Sequence, residues 1–128
     1  SGPSIARAYA EKAGVPGARV SAADVFQRAA AGDGVAARTL EAAIRLLGIG
    51  LANAINLLDP DVVVIGGGVA RAGAALFEPL REAVRSFSAP SPPGAVSILP
   101  AALDDRGAVM GAIALVAPRP PQQPIPPD

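Results

Sequence analysis

The sequence predicts an α/β fold in which helices pack against a small, mostly parallel sheet. Two short runs rich in apolar and β-branched residues, 62–65 and 96–99, alternate with segments of helical periodicity. Strands that alternate with helices are typical of parallel sheets. The run at 62–65 is continuous rather than alternating, which indicates a strand buried on both faces. The predicted order of elements is therefore α-α-α-β-α-β-α.

Two short helices are predicted at the start of the chain. The first spans about 3–13, with Ser1 as its N-cap. The second spans about 22–31 and follows Ser21, with Asp24 three positions later in the spacing of a capping box. Glycine-containing turns follow both segments and end both helices.

A long third helix is predicted over about 35–58. Its apolar side chains recur at intervals of three or four residues and form one stripe: Leu40, Ile44, Leu47, Leu51, Ile55 and Leu58. Gly48 and Gly50 lie inside this helix, where a glycine costs about 1 kcal/mol relative to alanine. We therefore expect close helix packing at both glycines. The helix ends at Asp59-Pro60-Asp61, which leads into the first strand.

The remaining elements follow the first strand. A fourth helix is predicted over about 69–87, with Pro79 expected to kink it unless the helix begins later. The second strand at 96–99 precedes a last helix over about 107–116. Residues 118–128 are rich in proline, which predicts polyproline II or a disordered tail. Two strands are too few for a sheet that stands alone, so we expect part of the fold to lie elsewhere.

The candidate binding site is the turn after the first strand, where Gly66, Gly67 and Gly68 precede Val69. Three glycines remove every Cβ from the turn, so a ligand can approach the backbone closely. The N–H groups of a helix beginning at Val69 would point to the same place with partial positive charge. These features predict a nucleotide seat, although a tight turn without a ligand would show the same pattern.

Two familiar nucleotide-binding motifs do not fit this turn. A dinucleotide fingerprint would require glycine where Arg71 stands. A phosphate loop would require Lys followed by Ser or Thr where Ala74 and Ala75 stand. If the glycines contact a nucleotide, they do so in another way.

Composition limits the chemistry available to the chain. Its 128 residues include no Cys and no His, which excludes disulfides, Cys-based zinc sites and the usual general base. Acidic and basic residues balance at eleven each, so nothing indicates a nucleic-acid surface or an anionic membrane. No apolar stretch comes near the ~20 residues that a membrane span requires, and the sequence shows no signal peptide. The expectation is a cytoplasmic protein with no metal site in this chain.

The carboxylates do not identify a catalytic residue. Asp59 and Asp61 flank a proline at the wrong end of the strand, where helix-ending and turn chemistry explain them. Asp104 and Asp105 precede the predicted last helix, where an N-cap explains them. We therefore predict no general base in the chain.

Several segments, in order and spacing, resemble the C-terminal half of ROK proteins, a family that joins bacterial sugar kinases such as glucokinases with sugar-responsive repressors. The resemblance covers about residues 1–117 and leaves the proline-rich tail outside. At the start of the chain, Ser1-Gly2-Pro3 is similar to the segment after the family's zinc-binding loop. At the other end, Gly107–Ala112 is similar to the family's last helix. The segments that carry it between these ends are Ala31–Asp33, Leu46–Asn53, Ile55–Asp61 and Val64–Val69.

The resemblance implies one lobe of the actin-like ATPase superfamily, with a ribonuclease-H-like core. The family's adenosine motif falls on Gly66, Gly67 and Gly68, with Val69 beginning the helix, so these residues would approach the adenosine and first phosphate of ATP. The family's first phosphate motif, catalytic Asp and zinc loop lie in parts absent here. The resemblance therefore implies that the parent uses ATP with Mg²⁺ and that this fragment alone is inactive.

Two functions remain open from the resemblance. One is the nucleotide-side lobe of an ATP-dependent hexose kinase, and the other is the effector-binding lobe of a ROK-type repressor, in which case nucleic acid would be a partner. A third interpretation, an isolated helical interaction domain, does not explain the ordered motifs. The expected partners are the missing N-terminal lobe, a small sugar and a second copy of the chain, with no membrane. A homo-oligomer is expected because an incomplete lobe leaves apolar faces uncovered.

Overall fold

The computed structural model describes residues 1–16, 20–88 and 96–103. The predicted last helix at 107–116, the pair Asp104 and Asp105, and the tail at 118–128 lie outside these residues. The elements, in chain order, are α1 (Gly2–Ala13), α2 (Ala22–Ala30), α3 (Gly34–Leu58), β1 (Val62–Ile65), a 3₁₀ turn (Gly68–Ala72), α4 (Ala74–Phe87) and β2 (Ser97–Pro100).

The first two helices begin in different ways. At α2 the predicted capping box is confirmed, because the Asp24 N–H donates to Ser21 Oγ at 3.2 Å and the Ser21 N–H donates to Asp24 Oδ2 at 2.7 Å. At α1 the Ser1 side chain makes no capping bond to the backbone, and the Ser1 carbonyl accepts from the N–H groups of Ser4 and Ile5 instead. The α2 start is therefore held by side chains and the α1 start by backbone.

The long helix α3 is the centre of the helical layer. It contacts α1, α2 and α4, and α4 in turn contacts β2. By length and composition α3 is also a helix that could cross a membrane, which differs from the expectation that no stretch would qualify. In this fold one side of α3 packs against α1, α2 and α4. The buried core comprises Ile5, Tyr9, Val25, Ala36, Leu40, Ile44, Ile55, Leu76, Phe77, Leu80, Val84 and Ile98.

The predicted parallel pairing of the two strands is confirmed. Val62 lies opposite Ser97, and the register continues to the end of both strands. Ile98 is buried beneath the helices, whereas Val64 is 61% exposed on the other face of the sheet. The prediction of a strand buried on both faces is therefore wrong within the described residues, because the helices described here cover only one face.

The predicted fourth helix is interrupted. Gly73, with φ 56° and ψ −133°, separates the 3₁₀ turn from α4, so the α-helix begins at Ala74 rather than at Val69. Positive φ at this position favours glycine. Pro79 then lies inside α4 rather than in its first turn. This break matters for the candidate site because it removes the expected α-helical N-terminus from the glycine turn.

A polar network joins the first three helices. The Tyr9 hydroxyl donates to Asp33 Oδ2 at 2.7 Å, and Arg28 donates to the Tyr9 hydroxyl at 3.3 Å. The Arg28 guanidinium also lies 5.6 Å from the centre of the Tyr9 ring. Asp33 caps α3, since its Oδ1 accepts from the N–H groups of Val35 and Ala36 at 2.8 and 3.0 Å. One carboxylate therefore links the start of α3 to α1.

This network predicts an acid-sensitive stability. The hydrogen bond from Tyr9 is the main reason that the pKa of Asp33 lies below its usual value, followed by the bond from the Ala36 N–H. A lowered folded-state pKa stabilises the fold above the unfolded value of about 4 and loses that effect as pH falls through the folded value. We expect Tyr9→Phe to lose less stability between pH 5 and 3 than the original sequence, measured by urea unfolding.

The comparison between the original sequence and Tyr9→Phe isolates the contribution of Asp33 to the loss of stability in acid. The pKa of Asp24 is also lowered, chiefly by the hydrogen bond from the Ser21 backbone, so both proteins lose that contribution equally in acid. Equal total losses in the two proteins would contradict the assignment of the acid sensitivity to the Tyr9 bond.

Candidate functional site

The glycine turn after β1 is exposed at all three positions, and among the described residues two of them have open space for a Cβ. A Cβ built on Gly67 or on Gly68 would meet nothing within 4 Å. A Cβ on Gly66 would lie 3.4 Å from Ala101 Cβ, which is an ordinary contact. The predicted close approach to the backbone is therefore sterically available at Gly67 and Gly68.

The reason for glycine differs between these two positions. Gly67 has φ 81° and ψ 178°, a conformation that is essentially restricted to glycine. Gly67 is therefore explained by the backbone whether or not a ligand binds. Gly68 is not among the residues with positive φ, and the space around it is open. Nothing in the described part of the chain explains the absence of a side chain at Gly68, so this glycine carries the ligand interpretation.

Val69 does not begin an α-helix. It lies in the five-residue 3₁₀ turn, where the Ala70 N–H donates to the Gly67 carbonyl at 3.0 Å. The predicted helix N-terminus at this point is wrong, because the α-helix starts beyond Gly73. Val69 instead packs its half-buried side chain against the core and toward α1. A Cβ on Gly2 would lie 3.3 Å from Val69 Cγ2.

A groove of about 970 Å³ lies beside the turn, between the starts of α1 and α2. Its volume is in the range of small-molecule sites. Gly68 and Val69 form part of its wall, so two of the four predicted site residues line it and Gly66 and Gly67 do not. Its apolar surface comes from three elements and includes Pro3, Ala6, Val20, Phe26, Val69 and Ala72.

The polar side chains of the groove are few. Arg7 from α1 and Arg71 from the 3₁₀ turn line it, together with Ser21 and Gln27. No Asp or Glu is among the lining residues, and the described part of the chain holds no cluster of three or more His, Cys, Asp or Glu. The Ser21 hydroxyl is hydrogen-bonded to Asp24 in the capping box. The groove can therefore bind a ligand, but it offers no general base or nucleophile of its own.

Sequence reasoning missed the walls that α1 and α2 contribute. Arg7 and Phe26 are separated from Gly68 by more than forty residues of sequence, and no local motif connects them. Each also fits the pattern of an ordinary amphipathic helix. The one available signal was Gly2, a glycine near a helix start, which the structure places against Val69 and Ala22.

Comparisons with known proteins agree with this architecture. A family model described as the ROK family matches residues 1–119. A glucokinase of Thermotoga maritima is 33% identical over 101 residues, which are 79% of this chain and 32% of that protein. A xylose repressor of Caldicellulosiruptor bescii is 32% identical over 92 residues, which are 72% of this chain and 23% of that protein.

Solved structures show the same partial match. The crystal structure of a ROK hexokinase from Thermus thermophilus has a TM-score of 0.72 and 33% identity, covering 88% of this chain and 37% of that one. A ROK family glucokinase from Streptomyces griseus, in complex with glucose and AMPPNP, has a TM-score of 0.67 and 26% identity, covering 88% and 36%.

These matches establish three facts. The chain spans between about a quarter and a third of the length of the relatives and solved structures reported above. Its fold is a partial lobe of the actin-like ATPase architecture, as the sequence resemblance implied. Because the family model matches nearly the whole chain, with several relatives above 30% identity, the chain belongs to the ROK family.

Proposed function

We propose that this chain is the C-terminal, nucleotide-side lobe of an ATP-dependent hexose kinase. The observation that carries the proposal is the bare backbone at Gly68, which borders a ligand-sized groove and which no contact among the described residues explains. Glucokinases are among the relatives, and the Streptomyces griseus enzyme was crystallised with glucose and AMPPNP. The proposal assigns the nucleoside of ATP to the groove and the glycine turn.

The lobe would bind ATP and would not transfer its phosphoryl group alone. In this proposal Gly66, Gly67, Gly68 and Val69 form the turn that the nucleotide approaches, and the apolar groove wall receives the base. Phosphoryl transfer also needs a group that accepts the proton of the sugar hydroxyl, positioned phosphates and Mg²⁺. The described residues that line the groove include no carboxylate for the first role. The catalytic base and the Mg²⁺ ligands would belong to the rest of the kinase.

The second candidate is the effector-binding lobe of a ROK-type repressor, which the similarity to xylose repressors favours. In that protein the sugar would act as inducer, and a DNA-binding segment would make nucleic acid a partner. Nucleotide binding separates the two candidates, because a sugar-responsive repressor has no need for ATP.

We also propose that the lobe is completed by another part of its protein and forms homo-oligomers, in the cytoplasm. The support is the outer side of α3, where Leu46, Leu57 and Leu58 are 69%, 82% and 70% exposed. Leucines so exposed on one helix mark a surface that another protein segment covers. Sedimentation of the purified chain as a monomer at high concentration would argue against this part of the proposal.

Isothermal titration of the 128-residue chain with AMPPNP tests the nucleotide assignment. We expect binding, with the amide signals of Gly68 and Val69 moving in an ¹⁵N-correlated spectrum. We expect no phosphorylation of glucose by the chain in a coupled ATP assay, because it lacks a base at the groove. A folded chain that binds xylose or glucose but not AMPPNP would reject the kinase proposal in favour of the repressor. Measurable turnover would contradict the inactivity of the isolated lobe.

A further inference from the structure

The charge in the groove comes from arginine alone. Arg7 and Arg71 are its ionisable lining residues, and they stand on different elements, α1 and the 3₁₀ turn. No Asp or Glu is among the described residues that line the groove. A cleft lined by one sign of charge raises the local concentration of ligands of the opposite sign. The groove therefore favours an anionic ligand over a neutral or cationic one.

Arg7 is placed to provide this charge. Pro3 and Ala6 line the groove from the same side of α1, one helical turn or less before Arg7. The Arg7 side chain is exposed, and no hydrogen bond or ion pair engages it with another described residue. Arg71, in contrast, already has an interaction within the chain. A guanidinium that is not committed to the protein can form a bidentate pair with a phosphate.

The apolar lining of the groove has a different character. Phe26 and Val69 present apolar surface and are only half-buried, so the groove carries apolar and cationic regions together. An aromatic side chain of this kind can stack on the flat face of a base. A ligand with a planar apolar part and an attached anion satisfies both regions, and a nucleoside phosphate has this form.

We propose that Arg7 is a specificity-determining residue that makes the groove select a nucleoside phosphate over the uncharged nucleoside. This inference rests on the proposed nucleotide function and names the residue that would bind the first phosphate. Because Arg7 is exposed and screened by water, its contribution is modest. We expect AMP to bind about tenfold more tightly than adenosine, in keeping with a single charge-assisted contact.

The test compares AMP and adenosine on the 128-residue chain by titration calorimetry. Arg7→Gln should reduce the affinity for AMP about five- to tenfold and leave that for adenosine unchanged, so the ratio falls close to one. Arg7→Lys should keep part of the preference because it keeps the charge. Arg38→Gln is the matched control, an exposed arginine on α3 that does not line the groove. This control should leave the ratio at its original value.

Each outcome decides the inference. In the unmutated chain, added salt should weaken AMP binding and leave adenosine binding unchanged, a readout that does not depend on any variant folding. An unchanged ratio in Arg7→Gln, with both ligands still bound, would overturn the role of Arg7 and leave the nucleotide proposal standing. If the folded chain binds neither AMP nor adenosine, the inference and the proposed function fall together.

Discussion

Replacing Gly68 with leucine is expected to weaken nucleotide binding strongly while the fold stays intact. Gly68 has no positive φ that would penalise a side chain, and a Cβ there meets no atom within 4 Å. The Gly68→Leu chain should therefore fold normally, and the leucine side chain should project into the space that the nucleotide is proposed to occupy. We expect the affinity for AMPPNP to fall at least about thirtyfold, roughly 2 kcal/mol. Calorimetry on the original and variant chains measures this change.

The choice of glycine decides whether this experiment is informative. A side chain at Gly67 would strain the backbone by about 1–3 kcal/mol, because its φ and ψ suit glycine alone. Lost affinity in a Gly67 variant could then follow from a distorted turn. Gly50→Leu is the better control, since Gly50 also has open space around it and lies outside the groove. If the Gly68→Leu variant bound AMPPNP normally, the glycine turn would not be part of the nucleotide site.

The second large effect is expected at the crossing of α3 and α4. A Cβ on Gly48 would lie 2.5 Å from Ala83 Cβ and 3.3 Å from the Ala83 carbonyl carbon. Backbone cannot move aside as a flexible side chain can, so the two helices must separate. Gly48→Ala should lower the free energy of unfolding by about 2 kcal/mol, since overpacking outweighs the better helix propensity of alanine. Urea unfolding with circular dichroism measures this change.

Gly50→Ala is the matched control on the same helix. Its Cβ would meet nothing within 4 Å, so only the propensity gain remains. We expect the free energy of unfolding to rise by up to about 1 kcal/mol. If the two alanine variants were equally stable, the close contact between Gly48 and Ala83 would not exist in solution.

These two glycines illustrate how far sequence reasoning reached. The expectation of close packing is confirmed at Gly48 and wrong at Gly50 within the described residues. Sequence shows that a helix tolerates a glycine, but it does not show which side of the helix faces a neighbour. That distinction depends on the angle at which α4 crosses α3.

The candidate site shows the same division. The bare turn after β1 was predicted from three adjacent glycines, because the absence of Cβ atoms is a local property that the sequence shows directly. The groove walls on α1 and α2 were not predicted, and neither was the interruption of the fourth helix at Gly73. Arg7 and Phe26 reach the turn only after the helices pack together.

The sequence by itself determined the order of the elements as far as β2, the capping box at Ser21, the parallel strand pair and the family. All four depend on the spacing between neighbouring residues or on the order of short segments. Spacing and order can be recognised in a sequence without knowledge of the packing. Tertiary structure alone decided which glycine meets a neighbouring helix, which face of β1 is covered, and that Arg7 and Gly68 line the same groove. These depend on contacts between segments far apart in the chain, where the geometry follows from burying the common core of α1, α2, α3 and α4.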